Sequence, residues 1–185
     1  MKIGILGSSF NPPHDGHIKI SEKALKIFDL DEIWWLVTKQ NPLKDESEYL
    51  SFEDRLNKIK LITNNNKIIY KFFEDQTKSN FLIDNINYIK KLFADDKFIF
   101  LMGSDSFIQM NKWEKYDDIF NKIPIVVFNR EKKKYDIEKS EIGNMYKNHR
   151  FNFKNNPIFM QALPCWTFVS EFNEQISSTE LRSIT

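Results

Sequence analysis

The sequence is poor in cysteine and has no long apolar run, and each shortage excludes a class of protein. A single cysteine, Cys165, rules out an intramolecular disulfide and a zinc site built from cysteines. No apolar stretch approaches the roughly 20 residues that a membrane-spanning helix needs. The apolar residues before Gly7 are too few for the hydrophobic region of a signal peptide. We therefore expect a soluble, cytoplasmic protein that does not associate with membranes.

An excess of charge of either sign is also missing. Lys and Arg number 27 against 26 Asp and Glu, so the formal net charge is +1 at pH 7. Without a basic excess, no nucleic acid or anionic membrane is expected as a partner, and any attraction for phosphate must be local. The chain has 185 residues, among them 17 Phe, 6 Tyr and 4 Trp. This length predicts a single domain, residues 1–185, with a sizeable core.

The sequence does contain an alternation of apolar strands and amphipathic helices. Strands are predicted at 3–6, 32–37, 67–73, 98–102, 124–128 and 166–169, and helices at 18–28, 51–62, 80–93 and near 116–120. The second helix is expected to bury Leu56, Ile59, Leu61 and Ile62. Residues 135–150 are polar and only weakly helical in pattern. The alternation predicts an α/β fold: a doubly wound, mainly parallel Rossmann-like sheet with helices on both faces.

The strongest functional signal is the segment from Gly7 to His17, which reads Gly-Ser-Ser-Phe-Asn-Pro-Pro-His-Asp-Gly-His. It follows the first strand and precedes the first helix. Small residues at a strand end let the backbone approach an anion, and the amides of a helix N-terminus point at it. A histidine ring can donate an N–H to a phosphate oxygen. We therefore expect a phosphate site formed by Gly7, Ser8, Ser9, Phe10, His14 and His17.

Two further segments carry side chains that suit the binding of a nucleotide. Near the end of the chain, Ser177, Ser178 and Thr179 precede Arg182. Hydroxyl groups at this place are ordinary helix N-caps, but with an arginine one turn later they can also bind a polyphosphate. After the fourth strand come Gly103 and Asp105. A carboxylate there suits the hydroxyls of a ribose, and it equally suits the cap of a short helix.

Together these segments resemble the HxGH, GxD and ISSTxxR motifs of the nucleotidyltransferase superfamily. The extended first segment is similar to that of bacterial nicotinate-nucleotide adenylyltransferases. The resemblance implies adenylyl transfer from ATP to nicotinate mononucleotide, giving deamido-NAD and pyrophosphate in NAD biosynthesis. It implies that His14 and His17 are catalytic and that Mg²⁺ accompanies ATP, with no metal site of the protein's own. The ATP-binding residues implied are Gly7, Ser8, Ser9, Phe10, His14, His17, Gly103, Asp105, Ser177, Ser178, Thr179 and Arg182.

The resemblance also assigns the mononucleotide to four residues, Lys44, Asn85, Trp113 and Arg130. Trp113 stands where relatives keep an aromatic ring that stacks on the pyridine. Lys44 lies in a polar loop after the second strand, and Arg130 follows the fifth. Relatives carry hydroxyl side chains at the start of the third helix, where this chain has Phe, Leu and Asn85. The preference for an acid or an amide mononucleotide therefore stays open.

Three alternatives remain at this stage. The first is an adenylyltransferase for nicotinamide mononucleotide or phosphopantetheine, which assays with each acceptor would distinguish. The second is a non-catalytic nucleotide-binding protein, which would bind ATP without turnover. The third, a plain structural α/β domain, leaves both phosphate motifs unexplained. The oligomeric state is not encoded in any motif, and a homo-oligomer stays open.

Overall fold

The structure is a computed structural model, and it describes residues 1–40, 50–129 and 137–170. The strands are β1 (Lys2–Ser8), β2 (Glu32–Val37), β3 (Ile68–Lys71), β4 (Lys97–Gly103), β5 (Ile125–Phe128) and β6 (Trp166–Val169). The α-helices are α1 (Asp15–Phe28), α2 (Phe52–Ile62), α3 (Glu74–Thr77), α4 (Leu82–Leu92), α5 (Ser104–Phe107), α6 (Tyr116–Lys122) and α7 (Glu141–Met145). Short 3₁₀ helices lie at Met110–Lys112, Ile137–Lys139, Lys147–His149 and Ile158–Met160.

The six strands form one sheet in the order β3-β2-β1-β4-β5-β6. Every neighbouring pair is parallel. Strands of a parallel sheet are covered on both faces, so they read as nearly continuous apolar runs. The four residues of β5 and the last six of β4 are all buried. The predicted α/β fold with a doubly wound parallel sheet is confirmed.

Helices cover both faces of this sheet, and the two adjacent tryptophans of β2 point into different cores. Trp35 packs in the core that contains Ile20 and Ala24 of α1 and Ile59 of α2. On the opposite face, Trp34 packs in the core that α4, α5 and α6 complete. Its members from these three helices are Ile83, Ile86, Ile89, Phe107, Ile119 and Phe120, and Ile142 of α7 also belongs to it.

The winding reverses between β1 and β4, so a ligand crevice is expected at the carboxyl edge of the sheet between these two strands. The helices after β1 and β4 cover opposite faces, and in such sheets ligands bind where the winding reverses. In the pairing of β1 with β4, Leu6 is level with Leu101. Continuing this register puts Ser8 level with Gly103, about one strand spacing (~4.8 Å) away. The first strand's loop and the fourth strand's loop therefore leave the sheet side by side.

Some local expectations differ from the structure. Leu61 is 79% exposed, so its predicted burial is wrong, and α2 faces the sheet with Ile59 and Arg55 instead. The four-residue α3 was not predicted. In place of one helix over 135–150, the described residues from Ile137 on form two 3₁₀ helices and the short α7. No helix in the described ranges is both long and apolar enough to cross a bilayer.

Candidate active site

The loop after β1 is anchored by the buried side chain of Phe10. Its φ of 48° lies in the left-handed region, which is unusual for an aromatic residue. The ring is fully buried and stacks on Trp35, with 4.6 Å between ring centroids and 15° between planes. The backbone N–H of Phe10 donates to Oγ of Ser8 at 3.2 Å. Because the ring is turned into the core, contact between Phe10 and a nucleotide would have to come from its backbone.

The two histidines cap α1 reciprocally. His14 is the N-cap residue, and its Nδ1 accepts a hydrogen bond from the backbone N–H of Gly16 at 3.1 Å. Nδ1 of His17, three residues later, accepts from the backbone N–H of His14 at 3.2 Å. This is the arrangement of a capping box, here made of two imidazoles. An Nδ1 atom that accepts cannot carry hydrogen, so each neutral ring holds its proton on Nε2 and is a donor there.

The backbone and ring of His17 are held by a chain of contacts from the neighbouring strand. Trp35 donates its indole N–H to Oγ of Ser21 at 2.8 Å, and Ser21 in turn donates to the carbonyl oxygen of His17 at 2.8 Å. The His17 ring lies 4.7 Å from that of Phe10 and 3.9 Å from that of His14, between centroids. Both histidines are buried. Packing and hydrogen bonds within the fold therefore orient both rings.

Gly103 and Asp105 lie at the carboxyl end of β4, directly after the strand as the sequence predicts. Gly103 is the last residue of β4, is buried, and precedes α5 as its N-cap residue. Asp105 is half-buried within α5, and its carbonyl oxygen accepts from the Gln109 amide at 3.3 Å. Through the β1–β4 register, the structure brings Gly103 beside the Gly7–Ser9 segment.

On the other face of the sheet lie Asn85 and Trp113. Asn85 is 3% exposed, and its Nδ2 donates to the carbonyl oxygen of Phe81 at 2.9 Å, which holds the start of α4. Its Oδ1 is buried without a hydrogen-bond partner among the described residues. Trp113 is half-buried, with its indole edge-on to Phe100 at 6.3 Å between centroids. A Cβ atom on Gly7 would lie 3.1 Å from the Phe100 ring, so a side chain there would require that ring to move by a few tenths of an ångström.

A cavity of about 340 Å³ opens beside the start of α4. Its lining includes positively charged side chains, a carboxylate and one aromatic ring. Glu74 accepts hydrogen bonds from the backbone N–H of Lys39, at 3.1 Å, and from the hydroxyl of Thr38. The Lys39 ammonium pairs with Asp75 at 2.7 Å. The lining residues are Lys39, Glu74, Lys78, Ser79, Asn80 and Phe81.

Six predicted site residues lie outside the described residues. They are Lys44, Arg130, Ser177, Ser178, Thr179 and Arg182. Sequence reasoning in turn missed three buried side chains around the β1 loop, Ser21, Trp35 and Arg55. The spacing of Ser21 four residues after His17 was the one available signal, since a helical hydroxyl often bonds to the carbonyl one turn earlier.

Comparison with known proteins shows the family to which this chain belongs. The family model described as cytidylyltransferase-like matches residues 5–184, so the chain belongs to this family of nucleotidyltransferases. The probable nicotinate-nucleotide adenylyltransferase of Ruegeria sp. (strain TM1040) is 32% identical over 183 residues, covering 98% of this chain and 96% of that protein. The protein of the same name from Pelagibacter ubique (strain HTCC1062) is 42% identical over 160 residues, covering 83% and 85%. Within its family, the chain belongs with the nicotinate-nucleotide adenylyltransferases.

A solved structure gives the same fold. Plasmodium falciparum nicotinic acid mononucleotide adenylyltransferase complexed with NaAD superposes with a TM-score of 0.71 at 21% identity. The superposition covers 98% of this chain and 82% of that chain.

Proposed function

We propose that this chain transfers the adenylyl group of ATP to nicotinate mononucleotide at the crevice between β1 and β4. The products are deamido-NAD and pyrophosphate, and the reaction is a step of NAD biosynthesis. The observation that carries the proposal is the double histidine cap, which makes Nε2 of His14 and of His17 hydrogen-bond donors at a helix N-terminus. The family to which the chain belongs supports the same reaction.

The chemistry makes few demands on the protein. A 5′-phosphate oxygen of the mononucleotide attacks the α-phosphorus of ATP in line, and the bond from that phosphorus to the oxygen bridging to the β-phosphorus breaks. The attacking oxygen is already anionic at neutral pH, so no strong general base is required. The protein must align two polyanions and stabilise the charge between them.

Each predicted residue then has one task. His14 and His17 donate to the α and β phosphates, and the backbone of the Gly7–Phe10 loop lies against them. The Asp105 carboxylate accepts from the ATP ribose, and its place two residues after the end of β4 supports this role. The outgoing pyrophosphate is bound by Ser177, Ser178, Thr179 and Arg182. The mononucleotide is bound by Lys44, Asn85, Trp113 and Arg130.

Mg²⁺ is expected to enter with ATP. The described residues include no group of three or more His, Cys, Asp or Glu side chains that could hold a metal ion. Mg²⁺ bound through substrate phosphates and its own waters needs no such group. When bound, the ion neutralises phosphate charge. We further propose that the chain works as one domain in the cytoplasm.

The test is an acceptor panel. Purified protein is incubated with ATP, Mg²⁺ and nicotinate mononucleotide, nicotinamide mononucleotide or phosphopantetheine, and pyrophosphate release is followed. Release with nicotinate mononucleotide at the highest kcat/KM is expected. Preference for another acceptor would contradict the substrate assignment, and ATP binding without release for any acceptor would contradict the enzyme assignment. Sedimentation of the same sample gives the oligomeric state.

A further inference from the structure

Arg55 is a buried cation whose guanidinium donates to four backbone carbonyl oxygens. The residue lies in α2 and is 1% exposed. Nη1 donates to the carbonyl oxygens of Ser9 and Thr38, the latter at 2.8 Å. Nη2 donates to that of Lys39 at 2.6 Å, and Nε to that of Leu50 at 3.3 Å. Four of the five N–H donors of an arginine are thus used by the main chain.

The four carbonyls belong to three segments that are far apart in the sequence. Ser9 lies in the loop that leads to the two histidines. Thr38 and Lys39 directly follow β2, and Lys39 lines the cavity beside α4. Leu50 precedes α2, and its backbone N–H donates to Oδ1 of Asn11 in the same β1 loop at 2.9 Å. A single side chain therefore connects the phosphate loop, the end of β2 and the start of α2.

Only arginine fits this set of acceptors. Its planar fork offers five donors in fixed directions and stays charged at any pH of interest, whereas a lysine offers three donors from one point. All four carbonyl oxygens accept from this one side chain, and a lysine at this position could not reach them all. The guanidinium also lies over the ring of Phe52, 5.3 Å from its centroid, which fixes the plane of the fork further.

The contact with Ser9 is the one that reaches the active site. The peptide between Ser9 and Phe10 is oriented by that hydrogen bond, and Phe10 then takes its left-handed conformation. A left-handed non-glycine residue persists only where its surroundings determine it strongly. The position of the loop backbone, and of the His14 cap four residues on, is thus set from behind by Arg55.

We propose that Arg55 is a positioning residue that holds the ATP loop in register with the segment after β2, so that the two substrates are aligned for in-line transfer. The proposal rests on the proposed function and adds to it a residue outside the nucleotidyltransferase motifs. Arg55 touches neither substrate. It acts through the carbonyls of Ser9, Thr38 and Lys39, and its buried charge also makes the potential behind the phosphate loop more positive.

The test compares Arg55→Met and Arg55→Lys with a matched control, Arg150→Met. Arg150 also places its guanidinium over aromatic rings, 5.5 Å from the centroid of Trp166, and pairs with Glu138, but it lies at the β6 edge of the sheet. We expect Arg55→Met to lower kcat by ~10²-fold, the effect of a misplacement of about 1 Å, and to weaken ATP binding. Arg55→Lys should fall in between, and Arg150→Met should keep wild-type kinetic constants.

A merely structural role would give a different pattern. Wild-type kcat and KM for both substrates in Arg55→Lys or Arg55→Met, with only a lower Tm, would overturn the proposal. If Arg55→Met does not fold, Arg55→Lys decides, because it keeps the charge and part of the hydrogen bonding. Chemical rescue gives a third readout: millimolar guanidinium should raise kcat of Arg55→Ala and leave Arg150→Ala unchanged.

Calorimetric titration with ATP alone separates this proposal from the proposed function. If the wild type binds ATP but does not use nicotinate mononucleotide, the proposed function is wrong. The role of Arg55 is then still tested by comparing the ATP affinity of Arg55→Lys with that of Arg150→Met. Equal ATP affinities would then overturn it. If the wild type is active and the Arg55 variants match it, the function stands and the positioning role fails.

Discussion

Nδ1 of His17 lies 3.2 Å from the backbone nitrogen of His14 and accepts its hydrogen. One ring nitrogen of each histidine thus completes the start of α1, and the other is a donor on the opposite side of the ring. In the proposed function, the two side chains that cap the helix are therefore also the ones that bind phosphate. The two tasks use different ring atoms, so they can be separated by substitution.

Asparagine and glutamine at position 17 should separate them. In His17→Asn, the amide oxygen can take the place of Nδ1 and keep the cap, but no donor remains at Nε2. We expect kcat to fall by ~10²–10³-fold, the loss typical of one oxyanion donor, with little change in Tm. In His17→Gln, the amide nitrogen can take the place of Nε2 while the cap acceptor is lost, at a cost of about 1 kcal/mol.

Steady-state kinetics and thermal unfolding of both variants provide the measurement, with His17→Ala expected to lose both properties. Full kcat in His17→Asn would show that the Nε2 donor is not used in the reaction. A Tm for His17→Gln equal to that of the wild type would show that the cap contributes nothing to stability.

Ser21 and Trp35 form a buried hydrogen bond whose two partners should not contribute additively. Ser21→Ala leaves the indole N–H of Trp35 unsatisfied in the core, which should cost about 1–3 kcal/mol in the free energy of unfolding. Adding Trp35→Phe removes that donor, so the double variant should lose less than the sum of the single losses. Urea denaturation of the four proteins measures the coupling, and strict additivity would contradict the hydrogen bond from Trp35 to Ser21.

At position 10, substitution by glycine should lower the free energy of unfolding less than substitution by alanine, which is the reverse of the usual order. Both Phe10→Ala and Phe10→Gly remove a fully buried ring, and losses of about 3–5 kcal/mol are typical for such truncation. At φ of 48°, however, an alanine keeps the left-handed strain and a glycine does not. The glycine variant should therefore be about 1 kcal/mol more stable than the alanine variant. Equal denaturation midpoints, or a more stable alanine variant, would refute this.

Cys165 gives a prediction about alkaline pH. Burial raises the pKa of its thiol from 9.0 to about 11. Between these values the unfolded chain releases the proton and the folded chain keeps it, so stability falls as pH rises from 9 to 11. Below pH 9 this contribution is fully present. Cys165→Ala should flatten that part of the stability profile, and rapid alkylation of the native thiol at pH 8 would be contrary to its burial.

The fold was largely predictable because its signals are local. β2 and β6 begin and end where the sequence predicts, at Glu32–Val37 and Trp166–Val169, since each is an apolar run between polar turns. The four-residue α3 is too short to show a helical period. Leu61 breaks the spacing of three and four residues that Leu56 and Ile59 follow, and the structure leaves it exposed.

Sequence motifs point to candidate site residues, but they do not reveal side chains that reach the site only through the fold. His14 and His17 are three residues apart, so a motif reveals them. Arg55 resembles a solvated helix charge in the sequence, and its burial depends on three segments meeting in space. Trp35 likewise reads as an ordinary strand residue, because its bond to Ser21 joins two elements.

The stacking of Trp35 on Phe10 also gives the protein an optical probe of its own. The indoles of Trp34, Trp113 and Trp166 pack against Phe93, Phe100 and Phe107, and only that of Trp35 among the described ring pairs stacks on Phe10. A chain with phenylalanine at those three positions would have Trp35 as its one indole fluorophore, in ring contact with Phe10 of the loop proposed to bind ATP. Nucleotide occupancy could then be followed in real time without any label.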